Sequence, residues 1–440
     1  MNYRYLLAGI LSLSSLVATA QQELTLHLMN NIYQSTHTNP ALRGKNKVNV
    51  TLLSSYYAGV TNTGFNYNQI VSQVETDETG QKILDIGKLY HNLNLSGRDY
   101  ANLRMSMDIF ALSFRAGKGQ FSLNISERFQ SRLGYSDALL EAITTGNTPG
   151  QTLQFGGYWL KGMHYREVGL GYNRQLLEDD KLVVGGRIKT LFGMANVNTK
   201  KADLSIATAD EADLYAITLN ADMLVQTSGL ETLEDDEIYY ISNTNNLGLG
   251  LDLGATYQYN EKISFSGSIV DVGFINWKDG ITNYQSNGSF VFEGISNDSL
   301  FAGGGMDIDM TQLMDSVSNS FEIVEDSSSY RTGLPTKMYL TGYYRVARNT
   351  KASVTIYTDF IGSFRRGMAI GISQRLGRWL QAAATYSVRA RSYNNLGVGL
   401  TLTTGAKGLQ IYAVTDNIMA VANPGGAKMA NIRTGFNFVF

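Results

Sequence analysis

From Leu247 to Tyr259 every second residue is apolar: Leu247, Leu249, Leu251, Leu253, Ala255, Tyr257 and Tyr259 alternate with Gly248, Gly250, Asp252, Gly254, Thr256 and Gln258. Side chains alternate across a strand, so one face of this segment suits lipid and the other suits water. The pattern outlasts the ~5–6 residues of an ordinary soluble strand. It meets the ~9–11 that a tilted strand needs to cross a bilayer. The same period recurs in Leu103–Ile109, Phe121–Ser126, Met338–Arg345, Ser353–Tyr357, Leu380–Arg389 and Leu396–Thr403. Segments of this kind satisfy their backbone groups in lipid only when the sheet closes on itself.

Connection lengths support closure. Short turns stand at Gly117-Lys118-Gly119, Asn260-Glu261-Lys262, Arg348-Asn349-Thr350, Leu376-Gly377-Arg378 and Gly405-Ala406-Lys407-Gly408. Longer polar links lie between them: Ser72–Tyr100, Gln130–Gly162, Thr227–Asn246, Gly273–Thr336 and Asp416–Ala430. Short periplasmic turns and long external loops are the asymmetry of a membrane barrel. Counting back from Phe440 gives an all-β transmembrane antiparallel barrel of about 14 strands (14–16), with Ala195–Asp213 the ambiguous stretch. Ser136-Asp137 is expected to cap a loop helix over Ala138–Thr145, and Asp309 another over Met310–Val317.

Composition agrees. Charged residues make up 17%, below the roughly 25% of soluble proteins. Proline, which breaks a ladder, occurs only 4 times, while Tyr (26) and Phe (18) suit the pleat. The 36 basic and 38 acidic residues leave no excess for nucleic acid. With no cysteine, disulfides, thiol catalysis and cysteine metal sites are excluded. Residues 1–20 read as a signal peptide. Arg4 is the charged start, Leu6–Val17 the apolar core, and Ala18-Thr19-Ala20 the small-x-small cleavage site, with the mature chain expected from Gln21. Residues 21–47 are then an N-terminal hatch or periplasmic segment, and 48–440 the outer-membrane barrel. At the other end Ile432, Thr434, Phe436, Phe438 and Phe440 share one face; Gly435, Phe438 and Phe440 form the expected signal for barrel-assembly machinery.

No catalytic, metal or cofactor site is expected. Among His27, His37, His91 and His164, only His164 lies near a strand. It lacks the positioned partners of a nucleophilic site. The acidic run Glu231–Glu237, and Asp307 with Asp309, read as solvated loop residues rather than calcium ligands. The polar phase of the strands carries Arg104, Asp108, Arg187, Lys189, Asp252, Lys337, Arg345, Asp359 and Arg389. A cation on the lipid face at the midplane would cost about 2–4 kcal/mol, so these are assigned to the lumen. They line a solute path or pair with each other and a plug. Pairing is favoured because both signs occur. Gly248, Gly250, Gly254, Gly397 and Gly399 leave room inside the wall for the hatch, for a ligand, or simply for close backbone approach.

Three segments carry a resemblance: Gln34-Ser35-Thr36-His37-Thr38-Asn39-Pro40-Ala41-Leu42; Gly273-Phe274-Ile275-Asn276-Trp277-Lys278; and Thr415-Asp416-Asn417-Ile418 with Asn431–Phe440. Together they resemble uncharacterised Bacteroidota outer-membrane barrels, more distantly the PorP/SprF and PorV components of type IX secretion and the FadL-like fatty-acid transporters. The resemblance implies a FadL-like barrel, often of 14 strands, without a settled function. Two functions stand open: binding or passage of a small apolar solute, or docking of a periplasmic or surface protein partner. Outer-membrane lipid is the common surrounding. Deletion of Phe440 is expected to reduce outer-membrane levels severely, measured as the heat-modifiable band in membrane fractions; an unchanged band would contradict the reading of the last strand.

Overall fold

The computed structural model describes residues 23–440 except 45, 77–79, 94, 96–98, 147, 178–180, 212–214, 232–236, 293–320, 322, 362, 378, 390–391 and 406–407. Among these, fourteen antiparallel strands close a barrel. They are β1 (Val48–Asn62), β2 (Asp99–Ala116), β3 (Gly119–Tyr135), β4 (Trp159–Leu176), β5 (Leu182–Thr208), β6 (Asn246–Gln258) and β7 (Ile263–Trp277). The second half holds β8 (Lys337–Ala347), β9 (Thr350–Ile361), β10 (Ser363–Leu376), β11 (Leu380–Arg389), β12 (Ser392–Thr403), β13 (Gly408–Thr415) and β14 (Met429–Val439). Each pairs with its neighbour in sequence, and β14 returns to β1. At the seam the Phe440 and Val48 backbones exchange two hydrogen bonds of 3.0 Å. No strand edge of the ring is left open, which is what lipid demands.

The period-two pattern sorts as expected. Leu247, Leu249, Leu251 and Leu253 face outward and are exposed, while Asn246 and Asp252 are fully buried inside. On β14, Ile432, Thr434 and Phe438 are exposed; Arg433, Asn437 and Val439 point into the lumen. The short turns lie together at the end where Val48 meets Phe440.

The count of 14–16 resolves to 14 because two strands leave the ring. The lower part of β5 pairs with β6, through Leu182–Gly193. Its upper part, from Asn196, pairs instead with Ile217–Ser228. That strand pairs in turn with Ile281–Phe292, which pairs with the short strand Ile323–Asp326. Within the ambiguous stretch, Ala195–Thr208 is thus the continuation of β5, which outgrows the ring and carries a sheet outside it. Of the two expected loop helices, Ala138–Thr145 is present, but Asp137 makes no capping hydrogen bond. Its backbone is already helical (φ −78°, ψ −14°), whereas a capping residue sits in the extended region. Met310–Val317, Asp307 and Asp309, the signal peptide with Ala18 and Ala20, and most of the acidic run lie outside the described residues.

β1 is bent. Leu53 and Ser55 have φ of 39° and 63°, and the β1–β14 register breaks between Val50 and Tyr56. The Ser54 hydroxyl repairs the ladder by accepting the Phe436 N–H at 2.7 Å. Gly435 lies against this bulge; a Cβ there would come within 2.6 Å of the Ser55 nitrogen. The glycine thus has a packing reason independent of any assembly signal.

On the outward face of β8, Leu340 is 55% exposed. Leu340→Arg is expected to cost about 2–4 kcal/mol of folding free energy, read from urea titration of folding into phosphatidylcholine vesicles against Leu340→Ala; a cost near zero would mean that this face does not meet lipid.

Candidate functional site: a lumen closed by the N-terminal segment

Glu23–Gly44 lies inside the barrel. Its apolar residues are buried as deeply as any core: Leu26, Met29 and Ile32 are 0% exposed. A single helical turn, Leu24–Leu28, and a 3-10 turn, Tyr33–His37, give it shape. Leu26, Leu28, Met29 and Ile32 pack on Ala383, Tyr412 and Val414 of the wall. Leu24 packs on Val270, Tyr339, Tyr357 and Ala369. Burial pushes the His27 imidazole down to about 4, so it is neutral at pH 7; it stacks on Tyr339 with ring centroids 5.1 Å apart.

Polar contacts fix the segment from all sides. Thr25 donates its N–H to Asp416 at 2.8 Å. The Gln34 and Asn437 amides pair reciprocally, at 2.9 and 3.0 Å. Asn39 donates to the Ser266 hydroxyl (2.9 Å) and Gly267 carbonyl, and Asn173 donates to the Pro40 carbonyl at 3.1 Å. The Arg433 guanidinium grips the Glu23 carboxylate with two nitrogens and donates to the Ser55 hydroxyl. These are side-chain contacts; among the described residues the segment joins no strand of the barrel.

The wall glycines now divide. A Cβ at Gly254 would stand 1.9 Å from the Asn39 side-chain oxygen, and one at Gly397 2.2 Å from the Thr25 hydroxyl. Gly399 faces Met29. These three make room for the N-terminal segment. Gly248 instead meets the β7 backbone, and Gly250 meets Lys189 and Leu334.

The inward charges form a connected belt. Lys189 lies 2.6 Å from Asp271, 2.9 Å from Asp252 and 3.4 Å from Glu167. Lys337 holds the other Asp271 oxygen at 2.7 Å, and Arg187 reaches Asp252 at 3.6 Å. Asp271 sits at a β7 bulge with φ 58°, its N–H donated to Asp252 at 2.7 Å. Arg104 and Arg132 share Asp359, at 3.8 and 3.7 Å. His37 ties the N-terminal segment to this belt: Nε2 is 3.3 Å from Asp108, and Nδ1 faces Arg128 and Arg187. Breaking a buried pair by removing one partner typically costs about 3–5 kcal/mol, so the belt is rigid.

Of the assigned lumen residues, Arg104, Asp108, Arg187, Lys189, Asp252 and Asp359 are buried in this network, and Lys337 borders it. Arg345 keeps the inward phase but lies exposed near the short turn Arg348-Asn349-Thr350. The side chain of Arg389 is outside the described set. Sequence reasoning missed Glu23, Arg128, Arg132, Glu167, Asp271 and Arg433. Arg128 and Arg433 shared the polar phase of their strands and were legible on that ground. Asp271 was not, because a bulge shifts the phase there. Glu127, with His164 3.4 Å and Arg166 beside it, faces outward. His164 is also 2.7 Å from the Tyr240 hydroxyl, so this cluster ties the loop turn Glu237–Ser242 to the outer wall. Among the described residues no group of three His, Asp or Glu is placed to hold a metal ion.

Above the N-terminal segment two cavities stack. The mouth encloses about 260 Å³ between Met163, Val197, Leu334 and Phe360, with Lys161, Lys200 and Arg331 at its edge. Gln130 and Pro335 border both it and a smaller chamber of about 60 Å³, lined by Glu23, Arg433, Tyr57 and Arg128. The lumen is closed below.

Comparison with solved structures returns outer-membrane channels over nearly the whole chain. A deletion mutant of the TodX monoaromatic hydrocarbon channel aligns with TM-score 0.46 and 9% identity, covering 96% of each chain. The Ralstonia pickettii toluene transporter TbuX gives 0.40 and 10%, covering 96% of this chain and 95% of its own. A Pseudomonas aeruginosa FadL homologue gives 0.41 and 9%, covering 96% of each. The fold assignment rests on the strand ladder itself. No curated protein matches in sequence. A family model matches residues 40–416, and the chain accordingly belongs to the family of unknown function DUF5723.

Proposed function

We propose that this protein is an outer-membrane barrel of FadL-like type that binds or passes a small, largely apolar solute. The observation that carries the reading is a lumen closed by a segment that belongs to no strand. Moving Glu23–Gly44 breaks side-chain hydrogen bonds and packing but opens no ladder of the wall. Leaving also breaks the Glu23–Arg433 pair and unpacks Leu26, Met29 and Ile32, but the wall keeps every strand–strand bond, so the closure can yield while the barrel persists. The stacked cavities above it give a solute a place to wait. The mouth is apolar on several sides, and its cations orient a polar end if the solute has one.

A second reading, a docking barrel serving secretion or surface-protein machinery, is favoured by one feature. The external sheet exposes Val291 (49%), Ile323 (65%) and Val324 (53%) on its outer strands. Exposed apolar residues on a sheet projecting from the ring suit a protein partner.

The two readings separate in proteoliposomes. Protein-dependent uptake of radiolabelled toluene, counted above that of protein-free vesicles, is expected to exceed that of a neutral sugar of similar mass counted the same way. Gly254→Val drives a side chain into Asn39 and is expected to loosen the closure and raise uptake severalfold, with heat-modifiability showing the barrel intact. Equal, leak-level uptake of both probes by both proteins would end the transport reading. Charge at the mouth is tested alongside: Lys161→Gln with Arg331→Gln should leave toluene uptake within about twofold, since a neutral hydrocarbon has no charge to pair.

A further inference from the structure

The net charge of −2 hides a local excess of cations. The turns that join β6 to β7, β8 to β9 and β10 to β11 stand side by side at the end where Val48 meets Phe440, because β7 pairs with β8 and β9 with β10. Among the described residues, these turns and the strand ends beside them carry Lys262, Arg345, Arg348, Lys351 and Arg375 against a single acid, Glu261. Backbone bonds lock the turns together. The Arg345 N–H donates to the Lys262 carbonyl at 2.7 Å, and the Arg375 N–H to the Asn349 carbonyl at 3.0 Å. Arg345 and Lys351 are direct cross-strand partners, so both point to the barrel axis. Arg375 does too, its guanidinium donating to the Asn30 side-chain oxygen of the N-terminal segment at 3.0 Å. Among the described residues none of the five forms an ion pair, and Arg345 and Arg375 both repel the Lys351 ammonium. Like charges set opposite one another destabilise a sheet. Deeper in the lumen the chain neutralises its own cations, as Lys189 and Arg187 show. At this rim it leaves them to an anion from outside.

We propose that this rim docks an acidic, extended polypeptide segment of a partner protein, laid across the three turns beneath the N-terminal segment. Span, direction and chemistry select this occupant. Neighbouring strands lie about 4.8 Å apart, so turns two strands apart are about 10 Å apart and the arc from Lys262 to Arg375 covers roughly 20 Å. A small anion meets one turn; about six extended residues cover all three. Carboxylates on alternate residues then fall about 7 Å apart on one face, within reach of the long cationic side chains. Lipid head groups lie outside the ring, whereas Arg345, Lys351 and Arg375 face its axis. Asn349 is exposed between Arg348 and Lys351, and its amide offers the donor and acceptor that complement a peptide group. Short turns of an outer-membrane barrel face the periplasm, so the partner is a periplasmic protein. This surface lies at the opposite end of β5 from the external sheet, and its occupancy does not depend on what the lumen carries.

The test uses the full chain in nanodiscs of phosphatidylcholine, which carries no net charge. The probe is a fluorescein-labelled peptide of alternating glutamate and serine, about eight residues long, read by anisotropy at low ionic strength. Wild type is expected to bind one peptide, less tightly as salt approaches about 150 mM. Arg345→Gln with Arg348→Gln is expected to weaken binding about tenfold or more, whereas Arg345→Lys with Arg348→Lys keeps the charge and should keep most of the affinity. The same glutamates in one unbroken run reach fewer turns and should bind several-fold less tightly than the alternating peptide. Lys82→Gln with Lys278→Gln, exposed at the opposite end, should leave binding within about twofold. Heat-modifiability confirms that each variant is folded, and Lys262→Gln supplies a second arc variant if the double variant does not fold. Binding unchanged in the arc variants, or lost equally in the Lys82 and Lys278 variant, would overturn the proposal. Displacement of the peptide by inorganic phosphate at equal charge, tighter binding of polygalacturonate, or loss of the peptide when the nanodiscs contain phosphatidylglycerol would also overturn it, assigning the arc to a small anion, an acidic polysaccharide or lipid instead.

Discussion

Everything in this molecule follows from the absence of water at membrane depth. A backbone N–H or C=O that lacks a partner in hydrocarbon costs several kcal/mol, so a sheet survives there only as a ring. The β1–β14 seam is therefore the contact on which the other thirteen depend. It is also the most irregular of them. β1 is bent at Leu53 and Ser55, and the ladder is carried across the bend by the Ser54 hydroxyl and by the room that Gly435 leaves. Both strands that meet there are held again from within, β14 by Arg433 to Glu23 and Asn437 to Gln34, and β1 by Thr51 to Gln34. The N-terminal segment is thus part of what holds the seam.

The same constraint shapes the lumen. Charges excluded from the lipid face collect inside, where isolation would be ruinous and pairing is compulsory. Lys189 among three carboxylates, and Asp359 between two arginines, show the outcome: a cross-linked belt rather than an open polar channel. The apolar face of Leu24–Ile32 fills remaining space against Val270, Tyr339 and Tyr357 and against Ala383, Tyr412 and Val414. A barrel filled in this way conducts only when something moves. The element least bound to the ladder is the N-terminal segment.

The strand-by-strand fold was legible because period two is a local property. Leu247–Leu253 declares its two faces without reference to any other residue. The lumen was legible only where that phase ran unbroken. Arg104, Arg187 and Asp252 were found because they alternate with outward leucines and isoleucines. Asp271 was not, since a bulge with a left-handed residue shifts the count by one, and a bulge leaves no mark in a pattern of polarity. Glu23 lay outside any strand, and its partner Arg433 is 410 positions away. Gly254, Gly397 and Gly399 looked alike to Gly248, yet three face the N-terminal segment and one faces the neighbouring strand.

The sequence by itself determined that these segments are strands, which side of each meets lipid, and roughly how many close the ring. Alternation, turn length and the scarcity of proline act over a few residues and need no partner. Only the tertiary structure decided that β5 outgrows the ring to carry an external sheet, that the N-terminal segment fills the lumen, and which charge pairs with which. Those are contacts between residues far apart in the chain. They depend on the curvature, register and bulges of a closed wall, and these exist only once the wall has closed.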